Sequence, residues 1–157
     1  ESLHQPVYRY VLGILGNQAE AEEVMQEAFL ALYREVSRGR DVEDPKPWVF
    51  RVAHNLAIDC WRKKSRAEQS EADAWWSFSR PAAEEDALVQ VRVLKHEQRA
   101  CIRRALARLS PQQRRCLELR AEGLTYRQIA ATLNLAVSSV QNHLSRAIQR
   151  VRDELAL

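Results

Sequence analysis

Two short helices joined by a tight turn are predicted within Leu124–Val151. Thr125 is placed to begin the first helix, and Gln128, three residues later, can reach back to it as the second half of a capping box. Asn134 can adopt the left-handed conformation that ends a helix, and Ser138 is predicted to cap the next one. This is the pattern of a helix-turn-helix, and it restricts the C-terminal part of the chain to a small helical fold.

The second helix of this pair has an apolar side and a polar side. At about 100° per residue, the apolar residues from Val140 to Val151 fall on one side and are predicted to be buried, Ile148 among them. The polar side has no acidic residue before Asp153, and its side chains can hydrogen-bond to base edges and phosphates in a major groove. An ordinary helical hairpin with a solvated face is the alternative. The predicted DNA-contacting residues are Ser138, Ser139, Gln141, Asn142, Ser145, Arg146 and Gln149.

The preceding helix is predicted to begin at Ser110, with Pro111 at its first position and Gln113 completing a second capping box. Gly123 ends this helix and leads into the helix-turn-helix. The first helix of such a motif crosses the phosphate backbone, so nearby arginines are expected to face phosphates. These are Arg114, Arg115, Arg120 and Arg127.

The remaining composition favours an all-α fold. The 157 residues are enough for one domain or two small ones, and only four glycines and five prolines interrupt the chain. We predict two small helical domains joined by a flexible linker, the C-terminal one containing the helix-turn-helix. No apolar run is long enough to span a membrane, and no secretory signal is present. Because residue 1 is Glu rather than Met, we expect the natural N-terminus to be missing.

The net charge of +3 is unevenly distributed along the chain. Residues 1–66 hold ten basic and ten acidic side chains. Residues 67–90 hold one basic and six acidic side chains, and residues 91–157 hold thirteen basic and five acidic ones. We therefore predict a neutral N-terminal domain, an acidic linker and a basic C-terminal domain that binds phosphate backbones. Trp75 and Trp76 do not suit a solvated linker, and we expect them to lie against another surface.

The N-terminal block contains a short apolar helix over 7–15 and a longer amphipathic helix from about 17 to 39. The buried stripe of the longer helix is predicted to reach Val36. Its outer face is acidic at first, as suits a helix N-terminus, but it continues with amide, acidic and apolar side chains that the helix dipole does not explain. This face is predicted to bind a protein partner, and its residues are Glu22, Glu23, Gln26, Glu27 and Leu30.

A third helix is predicted from Trp48 to about Lys64 and ends in a basic run. Basic charge is favourable at any helix C-terminus, so the run alone is weak evidence. Together with an amide, an exposed isoleucine and nearby tryptophans, however, it suits single-stranded nucleic acid, which is bound by stacking and backbone charge. The outer residues of this helix are predicted to be Arg51, His54, Asn55, Ile58 and Arg62.

The sequence contains no pattern typical of an active site. Cys60, Cys101 and Cys116 are scattered and lie in apolar helical patterns, which predicts buried free thiols in a reducing cytoplasm. There is no Cys/His cluster with metal-ligand spacing, no nucleophile–base pair and no glycine-rich phosphate loop. We therefore predict no catalytic, cofactor-binding or metal site. A stand-alone helix-turn-helix regulator with an N-terminal dimerisation or sensor domain is the alternative that remains open.

Four segments resemble bacterial sigma factors of the extracytoplasmic-function (ECF) group. Ala21–Leu30 is similar to the family's acidic "AEDLVQEVFL" helix, and Trp48–Arg62 resembles its "WLYRIARNLAIDYLR" helix. Leu106–Arg115 resembles the "LPPRQR" segment, and Gly123–Ala130 resembles "GLSYEEIA". With four matches in this order and spacing, the chain is identified as a member of this sigma-70-like family.

The resemblance implies a cytoplasmic transcription initiation factor without catalytic activity of its own. The acidic face would dock on the β′ clamp helices of core RNA polymerase, the C-terminal domain on the β flap, and an anti-sigma factor, in this family often membrane-anchored, would hold the chain inactive. The helix-turn-helix would read the −35 promoter element. This chain departs from the family there, because Gln141 and Asn142 stand where Lys or Arg is usual, and their amides favour adenine. The loop Gly39–Pro45 and one face of the third helix would melt the −10 element and hold a flipped base. The helix residues implied in this step are Arg51, Asn55, Asp59 and Arg62.

Overall fold

The computed structural model describes residues 2–67 and 96–155, and all regular structure within those ranges is helical. The N-terminal unit contains α1 (His4–Leu15), α2 (Gln18–Ser37) and α3 (Pro45–Ala67). The C-terminal unit contains α4 (His96–Ala107), α5 (Pro111–Ala121), α6 (Tyr126–Leu133) and α7 (Val137–Leu155). The all-α prediction is confirmed. The predicted linker, including Trp75 and Trp76, lies outside the described residues from 68 onward, and the proposed domain boundaries stay predictions.

The first helix is the centre of the N-terminal unit. It packs against both α2 and α3, which also pack against each other. Every residue from Tyr10 to Leu15 is buried, as is Val7. A helix that is apolar on all sides must be covered on all sides. The neighbouring helices of the same unit cover part of α1, and Arg115 of the C-terminal unit donates a hydrogen bond to the Gly13 carbonyl near the C-terminal end of α1.

Both predicted capping boxes are confirmed. Gln113 N–H donates to Ser110 Oγ at 3.2 Å, and Ser110 N–H donates to Gln113 Oε1 at 3.1 Å. Thr125 and Gln128 make the same pair of hydrogen bonds at 3.2 and 2.8 Å. Asn134 ends α6 in the left-handed conformation, with φ 56° and ψ 49°. The tight turn of the helix-turn-helix is therefore fixed by side chains that the sequence itself identifies.

Three local predictions are wrong. The last helix begins at Val137, where the Ala136 carbonyl accepts the first hydrogen bond, so Ser138 lies within the first turn rather than at the cap. Val36 is 57% exposed because it lies in the last turn of α2, and Ile148 is 43% exposed because it lies at the edge of the apolar stripe of α7. Apolar periodicity identifies a face, but packing decides how wide the covered face is.

A cap substitution tests this assignment of the helix start. Thr125→Ala removes one capping oxygen and is expected to lower the free energy of unfolding by about 1 kcal/mol. Ser138→Ala is the matched control, because Ser138 is exposed and inside its helix, and we expect less than about 0.3 kcal/mol. Equilibrium denaturation of the full chain measures both. Equal losses for the two variants would contradict the structure at Ser138.

The two units pack against each other in the described structure. Helix α3 lies against α6, and buried residues of both units form one continuous core. At the edge of this contact, Lys46 Nζ lies 3.7 Å from the Glu122 carboxylate. The contact between the units is therefore both apolar and ionic.

Candidate nucleic-acid and protein interfaces

The recognition face of α7 is presented to solvent. The opposite face of α7 packs into the protein through Val140, Leu144 and Ala147, which are 0–2% exposed. All predicted DNA-contacting residues except Ser139, which is half-buried, are exposed on the other side. Toward the C-terminal end, Gln149 donates a hydrogen bond to Asp153 at 2.8 Å. The structure thus brings these side chains together as one polar surface with its N-terminal turns free, as major-groove docking requires.

The four arginines predicted to face phosphates differ in their surroundings. Arg127 is exposed on α6, and Arg120 is exposed while donating to the Leu124 carbonyl at 2.9 Å and lying over the Tyr126 ring. The Arg114 side chain is only 13% exposed. Arg115 is 3% exposed, so its prediction as a phosphate contact is wrong for this arrangement of the chain.

One face of α3 carries the residues that the resemblance links to the −10 element. Arg51, Asn55, Asp59 and Arg62 are all exposed, and they recur at intervals of three or four residues. They therefore form a continuous strip along the helix that combines two cations, an amide and a carboxylate.

The prediction that His54 and Ile58 share this outer face is wrong, since they are only 7% and 9% exposed. Helix α3 packs against α1 and α2 and also against α6, so its buried stripe is wider than one amphipathic face. His54 Nδ1 is hydrogen-bonded to the Tyr10 hydroxyl at 2.8 Å. Burial, reinforced by the nearby Arg115 charge, lowers the pKa of His54 to about 4, and the ring is neutral in the folded protein at neutral pH. It is a buried structural residue.

The predicted protein-binding face of α2 borders an open groove. All five residues of that face are exposed, and Leu30 is 43% exposed despite being apolar. The groove has a volume of about 490 Å³. Its lining consists of Glu23, Val24, Gln26, Glu27, Leu30 and Leu56. An apolar floor beside carboxylates suits an amphipathic helix with basic residues.

Sequence reasoning missed two residues near this face. Leu56 of α3 fits the apolar stripe of its helix, but it is only partly buried and lines the groove together with Leu30. Tyr33 is 70% exposed and extends the apolar surface by one helical turn. The spacing of Tyr33 from Leu30, three residues, was a signal available in the sequence. The contribution of Leu56 required knowing how α2 and α3 pack.

The described residues offer little for cofactor chemistry. Within 2–67 and 96–155, no group of three His, Cys, Asp or Glu side chains is arranged to hold a metal ion. All three cysteines are free: Cys116 is buried, as predicted, whereas Cys60 and Cys101 are only half-buried. Burial raises the pKa of Cys116 to about 11, so its thiol is protonated at neutral pH. No helix in these ranges is long and apolar enough to cross a membrane.

Two family models match the chain in order. The model for sigma-70 region 2 matches residues 1–67, and the model for sigma-70 region 4 matches residues 99–151. The first range contains α1 to α3 with the acidic face and the α3 strip, and the second contains the helix-turn-helix. The two matched regions therefore contain the exposed faces of α2, α3 and α7 that are described above.

Curated relatives cover nearly the whole chain. It is 31% identical to the ECF RNA polymerase sigma factor SigE of Mycolicibacterium smegmatis, over 96% of this chain and 57% of that protein. It is 28% identical to SigW of Bacillus subtilis, over 95% of this chain and 82% of that protein. The chain thus spans little more than half the length of SigE.

Solved structures share the fold over almost the full length. The sigma factor RpoE of Bartonella quintana, crystallised with the anti-sigma factor NepR, matches with a TM-score of 0.67 at 22% identity, covering 99% of this chain and 93% of that one. CnrH, in complex with the cytosolic domain of CnrY, matches with a TM-score of 0.54 at 21% identity, covering 98% and 81%.

Proposed function

This chain belongs to the sigma-70 family, in its ECF group, and we propose that it directs core RNA polymerase to specific promoters and initiates transcription. The observation that carries this proposal is the presence of sigma-70 regions 2 and 4, in that order, on one chain. The match of region 2 to the first three helices leaves a dimerisation or sensor domain there without support. We propose that the protein acts in the cytoplasm, without catalytic activity or a cofactor of its own.

The acidic face of α2 is proposed as the docking site for the β′ clamp helices. Support comes from the open groove, whose apolar floor includes Leu30 and Leu56 and whose rim carries Glu23 and Glu27. Opposite charge on the partner would steer the encounter, and burial of the apolar floor would supply affinity. The C-terminal unit is proposed to reach the β flap.

The strip on α3 is proposed to melt and read the −10 element. Arg51 and Arg62 would attract the strand backbone, and Asn55 between them has an amide that can hydrogen-bond to an unpaired base. The exposed front of α7 is proposed to read the −35 element in duplex DNA. On that front, Gln141 and Asn142 favour adenine, which suits bidentate amide contacts.

Regulation by an anti-sigma factor is part of the proposal. Two proteins of the same fold were solved in complex with an anti-sigma factor or with the cytosolic domain of a partner protein. Exposed apolar residues on this chain, Leu30 and Tyr33 among them, offer a surface that such a partner could cover.

The proposed role of the α3 strip in melting leads to a test. Asn55→Ala removes one amide from an exposed position, so the fold should be unaffected. We expect open-complex formation to fall roughly fivefold, equivalent to the loss of one hydrogen bond of about 1 kcal/mol, with little change in initial promoter binding. Potassium permanganate footprinting and filter binding measure the two steps separately. An equal loss in both steps would argue against a melting role.

Run-off transcription on a genomic promoter library tests the function as a whole. Core polymerase is assayed with and without this chain. The proposal expects transcripts that start at a fixed distance from a shared two-part motif. The absence of stimulation, together with tight duplex binding by the chain alone, would contradict it and favour a stand-alone regulator.

A further inference from the structure

The end of α2 is tied to the loop that follows it through one carboxylate. Glu35 Oε2 accepts a hydrogen bond from Arg40 Nη1 at 3.1 Å, and Glu35 Oε1 lies 3.8 Å from Arg38 Nη1. The Glu35 side chain is only 22% exposed, whereas the Arg38 and Arg40 side chains are 66% and 70% exposed. A partly buried anion therefore holds two guanidinium groups that face solvent. We call Glu35, Arg38, Gly39 and Arg40 the loop root.

The backbone of the loop root ends α2 in a Schellman motif. Arg40 N–H donates to the Glu35 carbonyl at 3.2 Å, and Gly39 N–H donates to the Val36 carbonyl at 3.1 Å. Gly39 has φ 75°, the left-handed conformation that the motif requires. An apolar contact frequently joins the two side chains that stand where Glu35 and Arg40 stand here. In this chain an ion pair replaces that contact, so Arg40 is held by both backbone and side chain.

Helix termination alone does not account for Glu35. Cations near the C-terminus of a helix are favoured by its dipole, which is sufficient to explain Arg38 and Arg40. An acidic residue in the last turn is unfavourable for the same reason, and Glu35 lies in that turn. Exposed ion pairs also contribute little to stability. The main physical effect of Glu35 is therefore to restrict the positions of the two guanidinium groups.

The loop root lies at the end of the N-terminal unit where the strip on α3 begins. Helices α2 and α3 pack against each other and are joined by this loop, so the end of α2 and the start of α3 are close together. Arg51, the first residue of the strip, lies about 9 Å along the helix axis from Pro45, at about 1.5 Å per residue. A strand bound along the strip therefore ends near the loop root.

The remainder of the loop is acidic. Between Gly39 and Pro45 the sequence has Asp41, Glu43 and Asp44, and its only basic residue is Arg40. These three carboxylates are exposed, and they repel a phosphate backbone. A nucleic acid strand that reaches the loop therefore depends on cations at fixed positions to hold its phosphates.

We propose that Glu35 is a positioning residue for the −10 element, because it holds the guanidinium groups of Arg38 and Arg40 where they bind phosphates of the unpaired strand. This inference rests on the proposed function, in which the N-terminal unit binds that strand. Phosphate contacts fix the register of a bound strand, and base contacts then read its sequence. Since the two arginines are ordered before the strand arrives, less side-chain freedom is lost on binding.

Glu35→Ala separates positioning from bulk electrostatics, because the two effects have opposite signs. Removing a negative charge near the strand would by itself tighten binding to DNA. Loss of positioning should instead weaken binding about threefold to tenfold, the cost of ordering one or two long side chains. Glu35→Gln keeps an oxygen that accepts a hydrogen bond from Arg40, so its loss should be smaller. Circular dichroism melts of every variant establish that the chain is folded.

Glu20→Ala is the matched control. Glu20 is another partly buried acid of α2, and its carboxylate lies 3.4 Å from Lys64 Nζ. It is located in the first turn of the helix, far from the loop root. The substitution changes the net charge by the same amount as Glu35→Ala, and we expect it not to weaken binding of the −10 strand.

The measurement uses core polymerase reconstituted with the full chain. The probe is a promoter duplex that carries the motif identified by run-off transcription and is left unpaired over the −10 segment. Because this probe is already melted, its affinity reports strand binding without the cost of melting. A salt series shows how many phosphates are involved, since each lost contact to a single strand reduces the slope by about 0.7. Arg38→Ala combined with Arg40→Ala should reduce it accordingly.

A double-variant cycle shows whether Glu35 acts through the arginines. When Arg38→Ala and Arg40→Ala are already present, adding Glu35→Ala should weaken binding no further. Equal losses in both backgrounds would overturn the proposal, and so would unchanged or tighter binding by Glu35→Ala alone. If the reconstituted complex yields no promoter motif in run-off transcription, the proposed function itself fails, which is a different outcome.

Discussion

Glu23→Lys combined with Glu27→Lys is expected to abolish binding to core RNA polymerase. Both carboxylates line the groove on α2. Replacing the two glutamates by lysines raises the net charge of this surface by four units, against a partner surface that is proposed to be basic. Like charges brought together in an interface cost several kcal/mol, so we expect at least about a hundredfold loss of affinity. The chain should remain folded, because the ion pair of Glu27 with Arg34 is more than half exposed on both sides and contributes little.

A charge-matched control separates docking from a general effect of net charge. Glu97→Lys with Asp153→Lys makes the same total change at two exposed positions on α4 and α7, away from the groove. Fluorescence anisotropy with labelled chain and core polymerase, without DNA, measures both double variants. The docking assignment predicts a loss for the groove variant alone. Undiminished binding by the groove variant would refute the docking assignment. Equal losses in both double variants would show that the effect comes from net charge and not from docking at the groove.

Arg146→Ala is expected to have the largest effect of any single substitution on −35 recognition. Arg146 is exposed on the front of α7, one helical turn from Asn142. If its guanidinium contacts a base edge, removal should cost roughly 1–3 kcal/mol, or about five- to 150-fold in affinity. This loss of affinity is measured by competition binding of the reconstituted polymerase complex to promoter duplexes. The duplexes carry the motif identified by run-off transcription.

The pattern of losses distinguishes a base contact from a phosphate contact. For a base contact, the effect of Arg146→Ala should largely disappear on duplexes already altered at one particular base pair. A uniform loss on all sequences, with a shallower dependence on salt, would instead identify a phosphate contact. Arg152→Ala serves as the control, because Arg152 is an exposed arginine on another side of the same helix. We expect it to weaken binding little and without sequence dependence.

Local sequence was sufficient for most helix boundaries and for the exposed faces. Capping residues such as Ser110 and Thr125 act on backbone groups three residues away, so their effect can be predicted without tertiary information. The same holds for Asn134, whose left-handed conformation depends mainly on its own side chain. The amphipathic patterns of α2 and α7 likewise placed Glu27, Leu30 and Arg146 on exposed surfaces.

The burial of polar side chains was decided only by the tertiary structure. His54 and Arg115 are of residue types that are rarely fully buried, and an amphipathic pattern therefore assigns them to the solvent-exposed face. Their partners are 44 and 102 positions away, at Tyr10 within the same unit and at Gly13 in the other unit, and nothing local to either residue indicates these contacts. Burial of a polar group is costly unless other groups replace the hydrogen bonds that it made to water, and for His54 and Arg115 those groups are far away in the sequence. The sequence alone therefore determined the helices and most of their faces, whereas the packing of the helices decided which of these polar side chains are buried.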